Sequence, residues 1–198
     1  MIQFVVQPQR YTSFTLANYQ LTNNNKNKES LLSHQKQFAE WMSDHEKMLK
    51  HIIVGFEAKP AIQEELFQEI ALNIWQALPK FKGDASVKTF VARIAHNILV
   101  THVAKAVRTV KADQDINEQE HIASGEATPY QQLDKQQRQQ RLFKAIRQLK
   151  LDQQQIITLA LEGMSYQEMA DILSISINLV GVRLQRAKTS LMQLLEAK

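Results

Sequence analysis

Apolar residues recur in blocks spaced three and four apart. From about residue 33 to residue 56 the pattern uses Phe38, Trp41, Met42, Met48, Leu49, Ile52 and Ile53 and stops near Gly55, which predicts one amphipathic helix. Lys59-Pro60 interrupts it, and because proline is tolerated in a first helical turn but not in an interior, a second helix starts there. Ile62, Leu66, Ile70 and Ile74 then come every four residues, widened by Phe67, Ala71 and Leu78. Glu65, Gln68, Glu69 and Asn73 are left for water or a partner, and Pro79 ends the helix.

Lys80 to Ala85 reads KFKGDA, a basic and aromatic loop whose Gly83-Asp84 pair signals a turn. Ser86 is placed to cap a long third helix with Val87, Phe90, Val91, Ile94, Ala95, Ile98 and Val103 inward. Its expected outward groups include Lys88, Arg93, Asn97, Lys105 and Arg108. Residues 1–32 show no sustained period and include the run LTNNNKN, so a disordered extension is expected. Periodicity is lost again over residues 109–134, which contain Gly125 and Pro129 and are expected to be a linker.

The last third resumes with a helix through Leu142, Ile146 and Leu149, then one opened by Asp152 and closed at Gly163. Ser165-Tyr166-Gln167-Glu168 has the form of a capping box: the serine oxygen accepts from the Glu168 amide while the carboxylate reaches back. A short helix therefore begins there, Ser174-Ile175 makes a tight turn, and Ser176 caps a final helix with Val180, Leu184, Ala187, Leu191 and Leu194 inward. This is the grammar of a helix-turn-helix.

Composition agrees. With 198 residues, 44% apolar content, 5 Gly and 4 Pro, the chain predicts an all-α protein of two small helical domains joined by an acidic flexible linker. The absence of cysteine excludes disulfides, thiolate metal sites and thiol nucleophiles and fits a cytoplasmic setting. No stretch reaches the roughly 20 apolar residues of a membrane span. Residues 1–108 carry 13 basic and 9 acidic side chains, residues 109–134 one and six, and residues 135–198 ten and five. Two basic blocks thus flank an acidic strip, as expected if the blocks meet a polyanion. No enzyme constellation is present: the six histidines form no HxxxH or HExxH pair, and no GxxxxGK[ST] or GxSxG motif occurs. Glu64, Glu65 and Glu69 lack histidines to complete a metal site and read as surface charge, so no catalytic residue, metal or cofactor is expected.

EGMSYQEMADILSISINLVGVRLQRAKTSLMQLL resembles the fourth conserved region of bacterial RNA polymerase sigma factors, with Gly163, Ser165, Tyr166, Glu168, Ala170, Val180, Arg183, Leu184, Arg186 and Ala187 at the motif positions. Alone, that tail leaves open a helix-turn-helix transcription regulator that is not a polymerase subunit. EELFQEIALNIWQALPKFKGDASVKTFVARIAHNILV resembles the second sigma region, with Glu65, Leu66, Gln68, Glu69, Trp75, Phe81, Thr89, Ile94, Ala95 and Asn97 in place. Both motifs in this order, with only a short linker between them, resemble the compact extracytoplasmic-function branch of the sigma-70 family.

The resemblance implies sigma region 2 at 33–108, which binds core polymerase and recognises and melts the promoter −10 element, and sigma region 4 at 135–198, which recognises the −35 element. It places core-polymerase contacts on Glu65, Gln68, Glu69 and Asn73. Contacts to the −10 region fall on Lys80, Phe81, Lys82, Phe90, Arg93, Asn97, Lys105 and Arg108, with Phe81 and Phe90 serving mainly in packing. Contacts to the −35 region fall on Ser165, Tyr166, Ser176, Asn178, Arg183, Arg186 and Lys188, arginine being able to grip a guanine edge with two nitrogens. RNA polymerase core enzyme, promoter DNA and an anti-sigma factor are the implied partners. The linker acids Asp113, Asp115, Glu118, Glu120, Glu126 and Asp134 either form a soluble tether or mimic a polyanion in a basic polymerase channel. Phe90 stands where Trp is usual, Ser174 where the turn Gly is usual, and Leu179, Gly181 and Val182 where polar or basic residues are common, which predicts a factor with a narrow or unusual promoter set.

Overall fold

A computed structural model of the chain describes residues 25–110 and 129–196, with side chains over 31–107 and 136–196. Among the described residues there are seven α-helices and no strand. They are α1 (Asn25–Phe56), α2 (Pro60–Ala77), α3 (Val87–Val110), α4 (Pro129–Gln148), α5 (Leu151–Leu161), α6 (Tyr166–Leu173) and α7 (Ile177–Glu196). Helices α1 to α3 pack on one another as the first cluster and α4 to α7 as the second, so the expected all-α architecture is present.

Local chemistry sets most boundaries. Pro60 occupies the first turn of α2, and a 3-10 turn over Leu78–Lys80 containing Pro79 follows it. Gly83 turns the loop with φ of +81°, which costs a glycine little. Ser86 caps α3 by accepting from the Thr89 amide at 3.0 Å. The corner between α1 and α2 is built on Glu57, whose carboxylate accepts from the amides of Ala58 and Lys59 and meets His102 Nε2 of α3 at 2.8 Å. Both halves of the capping box at Ser165 and Glu168 are formed. The turn into α7 puts Ser174 in the left-handed region at φ 53°. Asp152 is the second residue of α5, in the first turn, where its charge complements the helix dipole.

Two expectations need correction. Helix α1 starts at Asn25, eight residues inside the segment expected to be unstructured, because Lys26 to Leu32 supply helix formers that extend the pattern backwards. Helix α4 starts at Pro129, not at 135, with the proline in the first turn. Residues 1–24 and 111–128, and with them all the named linker acids except Asp134, lie outside the described residues.

The two clusters are docked on each other, a feature the sequence did not announce. Helix α1 packs on α4 and α5, and α3 packs on α5 and α6, and buried apolar residues run continuously from one cluster into the other. The polar contacts across the junction fall on helix ends. Val54 and Gly55 carbonyls, in the last turn of α1, accept from Arg147 Nη1 and Gln154 Nε2, each at 2.7 Å. The Glu162 carbonyl at the end of α5 accepts from Lys88 Nζ at 2.7 Å, and its carboxylate lies 3.2 Å from His51 Nδ1. Thr89 Oγ1 donates to Glu168 Oε1 at 3.0 Å, which ties the first turn of α3 to the capping box of α6.

Gly55 tests this docking by the sign of one effect. A Cβ built there would stand 2.6 Å from Thr158 Cγ2, and Thr158 cannot swing away cheaply because its hydroxyl donates to the Gln154 and Gln155 carbonyls. Gly55→Ala therefore lowers stability by about 1–3 kcal/mol through overpacking. Were the clusters apart, the same change near a helix end would raise stability by up to about 1 kcal/mol, so thermal or urea unfolding decides between them.

His96 is the buried ionisable group of α3, 4% exposed and packed edge-on to Phe56, with Nε2 lacking a hydrogen-bond partner. Burial pushes its pKa down to about 4. In the same direction, burial lowers His45, with Lys88 adding to the shift and Asp44 opposing it. Between pH 6.5 and 4 the unfolded chain binds a proton at His96 that the folded chain refuses, so stability falls as pH falls through that window. The expected loss from His96 is about 2 kcal/mol between pH 7 and pH 5. Urea titrations should show it, and His96→Leu should remove that share.

Candidate nucleic-acid and polymerase interfaces

Three surfaces carry the residues singled out by sequence. On α2, Glu65, Gln68 and Glu69 are exposed and Asn73 is half-buried, its amide turned back to the Glu69 carbonyl at 2.8 Å. Glu64 stands beside them and accepts from Gln68 Nε2 at 3.5 Å. The face bears three carboxylates and no cation, which suits a partner with basic and amide groups. Leu72 was missed: it is exposed at 39% and lies four residues after Gln68 and seven after Glu65. Its signal was the spacing itself, since a large apolar side chain on an otherwise polar stripe suits the centre of a protein contact.

The second surface is the loop before α3 and the outer stripe of that helix. Lys80 and Lys82 are exposed, and Asn97, Thr101 and Lys105 recur outward at intervals of four. Arg93, one turn earlier on that stripe, is half-buried, with Nε enclosed and unpartnered among the described residues. Arg108 belongs to α3, but its side chain lies outside the described ones. Phe81 and Phe90 belong to a cluster with Trp41: ring centroids are 4.9 Å apart for Trp41 and Phe81, 5.9 Å for Trp41 and Phe90, and 4.9 Å for Phe81 and Phe90. Trp41 meets both rings edge-on and the two phenylalanines are tilted on each other, the geometry of aromatic packing, so both rings brace the loop rather than stand open for stacking. Lys88, expected outward, instead reaches α5.

The third surface is the helix-turn-helix of α6 and α7. Ser165 and Ser176 spend their hydroxyls on caps, Ser165 accepting from the Glu168 amide at 3.2 Å and Ser176 from the Leu179 amide at 3.3 Å. Glu168 is held below the usual carboxylate range, first by the Ser165 amide and then by the Ser165 hydroxyl, with Thr89 and Lys88 adding and burial opposing. Tyr166 is half-exposed, its ring edge lying near Gly181. Inward Val180, Leu184, Ala187 and Leu191 fix the rotation of α7, which leaves Asn178, Val182, Gln185, Arg186 and Thr189 outward. Arg183 is half-buried and Lys188 exposed, on opposite flanks of that stripe. Val182 and Gln185 were passed over in favour of charged neighbours, although the same inward set identifies them. Helix α7 has three cations and one acid, Glu196, and the acid is at its far end. Among the described residues no group of His, Asp or Glu is placed to hold a metal ion, and no helix is long and apolar enough to cross a membrane.

Comparison with known proteins matches the chain to two family descriptions: Sigma-70 region 2 over residues 41–109 and Sigma-70 region 4 over residues 139–191. The chain is 31% identical over 134 residues to the ECF RNA polymerase sigma-E factor of Escherichia coli, covering 64% of this chain and 70% of that protein. It is 26% identical over 147 residues to the RNA polymerase sigma-H factor of Pseudomonas aeruginosa, covering 71% and 76%. Among solved structures, the sigma factor RpoE in complex with the anti-sigma factor NepR from Bartonella quintana superposes with a TM-score of 0.65 at 25% identity, over 81% of this chain and 98% of that one. CnrH in complex with the cytosolic domain of CnrY shares the fold, with a TM-score of 0.60 at 21% identity over 83% and 90%.

Proposed function

The chain belongs to the extracytoplasmic-function branch of the sigma-70 family, the regulatory subunits that bind core RNA polymerase and direct transcription initiation at promoters, and from that premise we propose how its residues divide the work and how its clusters must move. The acidic face of α2, through Glu65, Gln68, Glu69 and Asn73 with Leu72 at its centre, docks on core polymerase. Lys80, Lys82, Arg93, Asn97, Lys105 and Arg108 follow the melted strand at the −10 element, and the aromatic cluster of Trp41, Phe81 and Phe90 holds their loop in position. Helix α7 enters the major groove at the −35 element, where Asn178 faces bases and Arg183, Arg186 and Lys188 neutralise phosphates. The caps at Ser165 and Ser176 orient the two helices of that motif.

The observation that carries the conformational part is the 3.0 Å hydrogen bond from Thr89 to Glu168. It presses the start of the −10 reader against the −35 reader. Elements centred near positions −10 and −35 lie about 25 base pairs apart, on the order of 85 Å along a duplex rising about 3.4 Å per pair. One docked body cannot occupy both, so promoter engagement parts the clusters. The 18 residues from 111 to 128 reach at most about 65 Å when extended, and the clusters' own helices, each about 30 Å long for 20 residues, cover the remainder. Docked, the chain is closed, and an anti-sigma protein of the kind bound in the solved relatives would act by holding it so.

Charge reversal on α2 tests the polymerase contact. Glu65→Lys combined with Glu69→Lys is expected to weaken core-polymerase binding at least tenfold, measured by fluorescence anisotropy, with the helical circular dichroism unchanged because both side chains are exposed. Undiminished binding would place the contact elsewhere.

A further inference from the structure

The outward stripe of α7 is unusual for a helix that meets a polyanion: of its outward groups Asn178, Val182, Gln185, Arg186 and Thr189 only Arg186 is charged, and the first three are amide, apolar and amide, with Leu179 on one flank. Val182 and Leu179 keep 47% and 37% of their surface exposed, while α7 packs on α4, α5 and α6 with its opposite face buried through Val180, Leu184, Ala187 and Leu191. Leaving two branched apolar side chains in water brings the fold nothing, and their near neighbours Arg183 and Arg186 supply the charge that draws this face to DNA. The first cation of the helix is Arg183, so no group able to grip guanine in the lysine or arginine manner stands in its first turn and a half.

Each base pair offers the major groove a distinct set of groups, and only thymine offers a methyl. Its partner adenine offers the acceptor and donor pair that an asparagine or glutamine amide matches with two hydrogen bonds. Amide, apolar and amide in sequence along one stripe therefore match A·T pairs and mismatch G·C pairs, whose cytosine amino group would meet an apolar side chain unpartnered. We propose that this factor reads its upstream promoter element as A·T pairs, with Val182, flanked by Leu179, lying against thymine C5 methyl groups and Asn178 and Gln185 taking adenine edges. The proposal rests on the −35 reading of α7 above and names what that helix selects. Arg186 and Arg183 then set affinity and register, while the apolar contact sets the sequence.

The test removes only the methyl. Holoenzyme reconstituted from core polymerase and the full chain selects duplexes from a library randomised across the upstream element. Thymines of a selected duplex are then replaced one at a time by deoxyuridine. The expected result is an A·T-rich selected element containing at least one thymine whose methyl is worth about three- to fivefold in affinity, the effect of burying one such group. Val182→Ala should abolish that difference while leaving the melting temperature unchanged, and Asn178→Ala should relax selection at a neighbouring adenine. A selected element rich in G·C pairs, or one in which every thymine tolerates deoxyuridine, overturns the proposal and leaves the sigma reading intact. Equal weakening of thymine and uracil duplexes by Val182→Ala overturns it too. If holoenzyme retains no duplex at all, the reading of α7 fails and the proposal with it.

Discussion

Every helix ends with backbone groups that its own turns cannot satisfy, and in this protein the two clusters satisfy them for each other. The last carbonyls of α1 accept from Arg147 and Gln154 of the second cluster, and the last carbonyl of α5 accepts from Lys88 of the first. At the other kind of terminus, Thr89 in the first turn of α3 donates to the carboxylate that caps α6. Gly55 lets the helices come close enough for this, with Thr158 filling the space a side chain would take. The junction is thus part apolar core and part shared capping. Its polar half differs from the apolar half in one respect: when the clusters part, water can replace a cap, since each of these atoms sits at a helix end. Such a contact holds firmly when dry and gives way without leaving orphans.

That property suits a subunit with two DNA readers on one chain. While the clusters are docked, the first turn of α3 and the helix-turn-helix share a hydrogen bond, and on the proposed reading the promoter cannot be spanned. The acidic face of α2 and the outward stripe of α7 are not part of the junction, so the closed chain leaves both the proposed polymerase surface and the proposed base-reading surface uncovered. Opening need not precede encounter with either partner. Binding energy gained at the second site can be used to separate the clusters, and a ligand that favours the docked arrangement opposes it by the same amount.

How much of this was legible in the sequence depends on the range of the contact. Features written within four residues were readable: Pro60 at a helix start, Ser86 over Thr89, the Ser165 and Glu168 box, and the Ser174 turn all appear where the pattern put them. The face of α2 was readable too, because four-residue spacing fixes both the buried and the exposed stripe. What could not be read was the docking, whose partners are 74 to 111 residues apart and whose side chains look like solvent-facing polar groups. Gln154 sits in a run of three glutamines, yet it is 4% exposed. Lys88 was taken for an outward cation, and Gly55 for a helix end rather than a close approach. On α7 charge drew attention to Arg183 and Lys188, although the inward residues already turned Val182 and Gln185 outward.

Separation of the clusters on the promoter is the claim that most of the mechanism rests on, and the lack of native cysteine makes it directly measurable. Asp84→Cys and Gln167→Cys put one spin label on the exposed loop before α3 and one on exposed α6, and pulsed dipolar spectroscopy reports the distance between them. The free protein should give a single short distance, and the holoenzyme bound to promoter DNA one longer by tens of ångströms. The same short distance in both states would contradict the account.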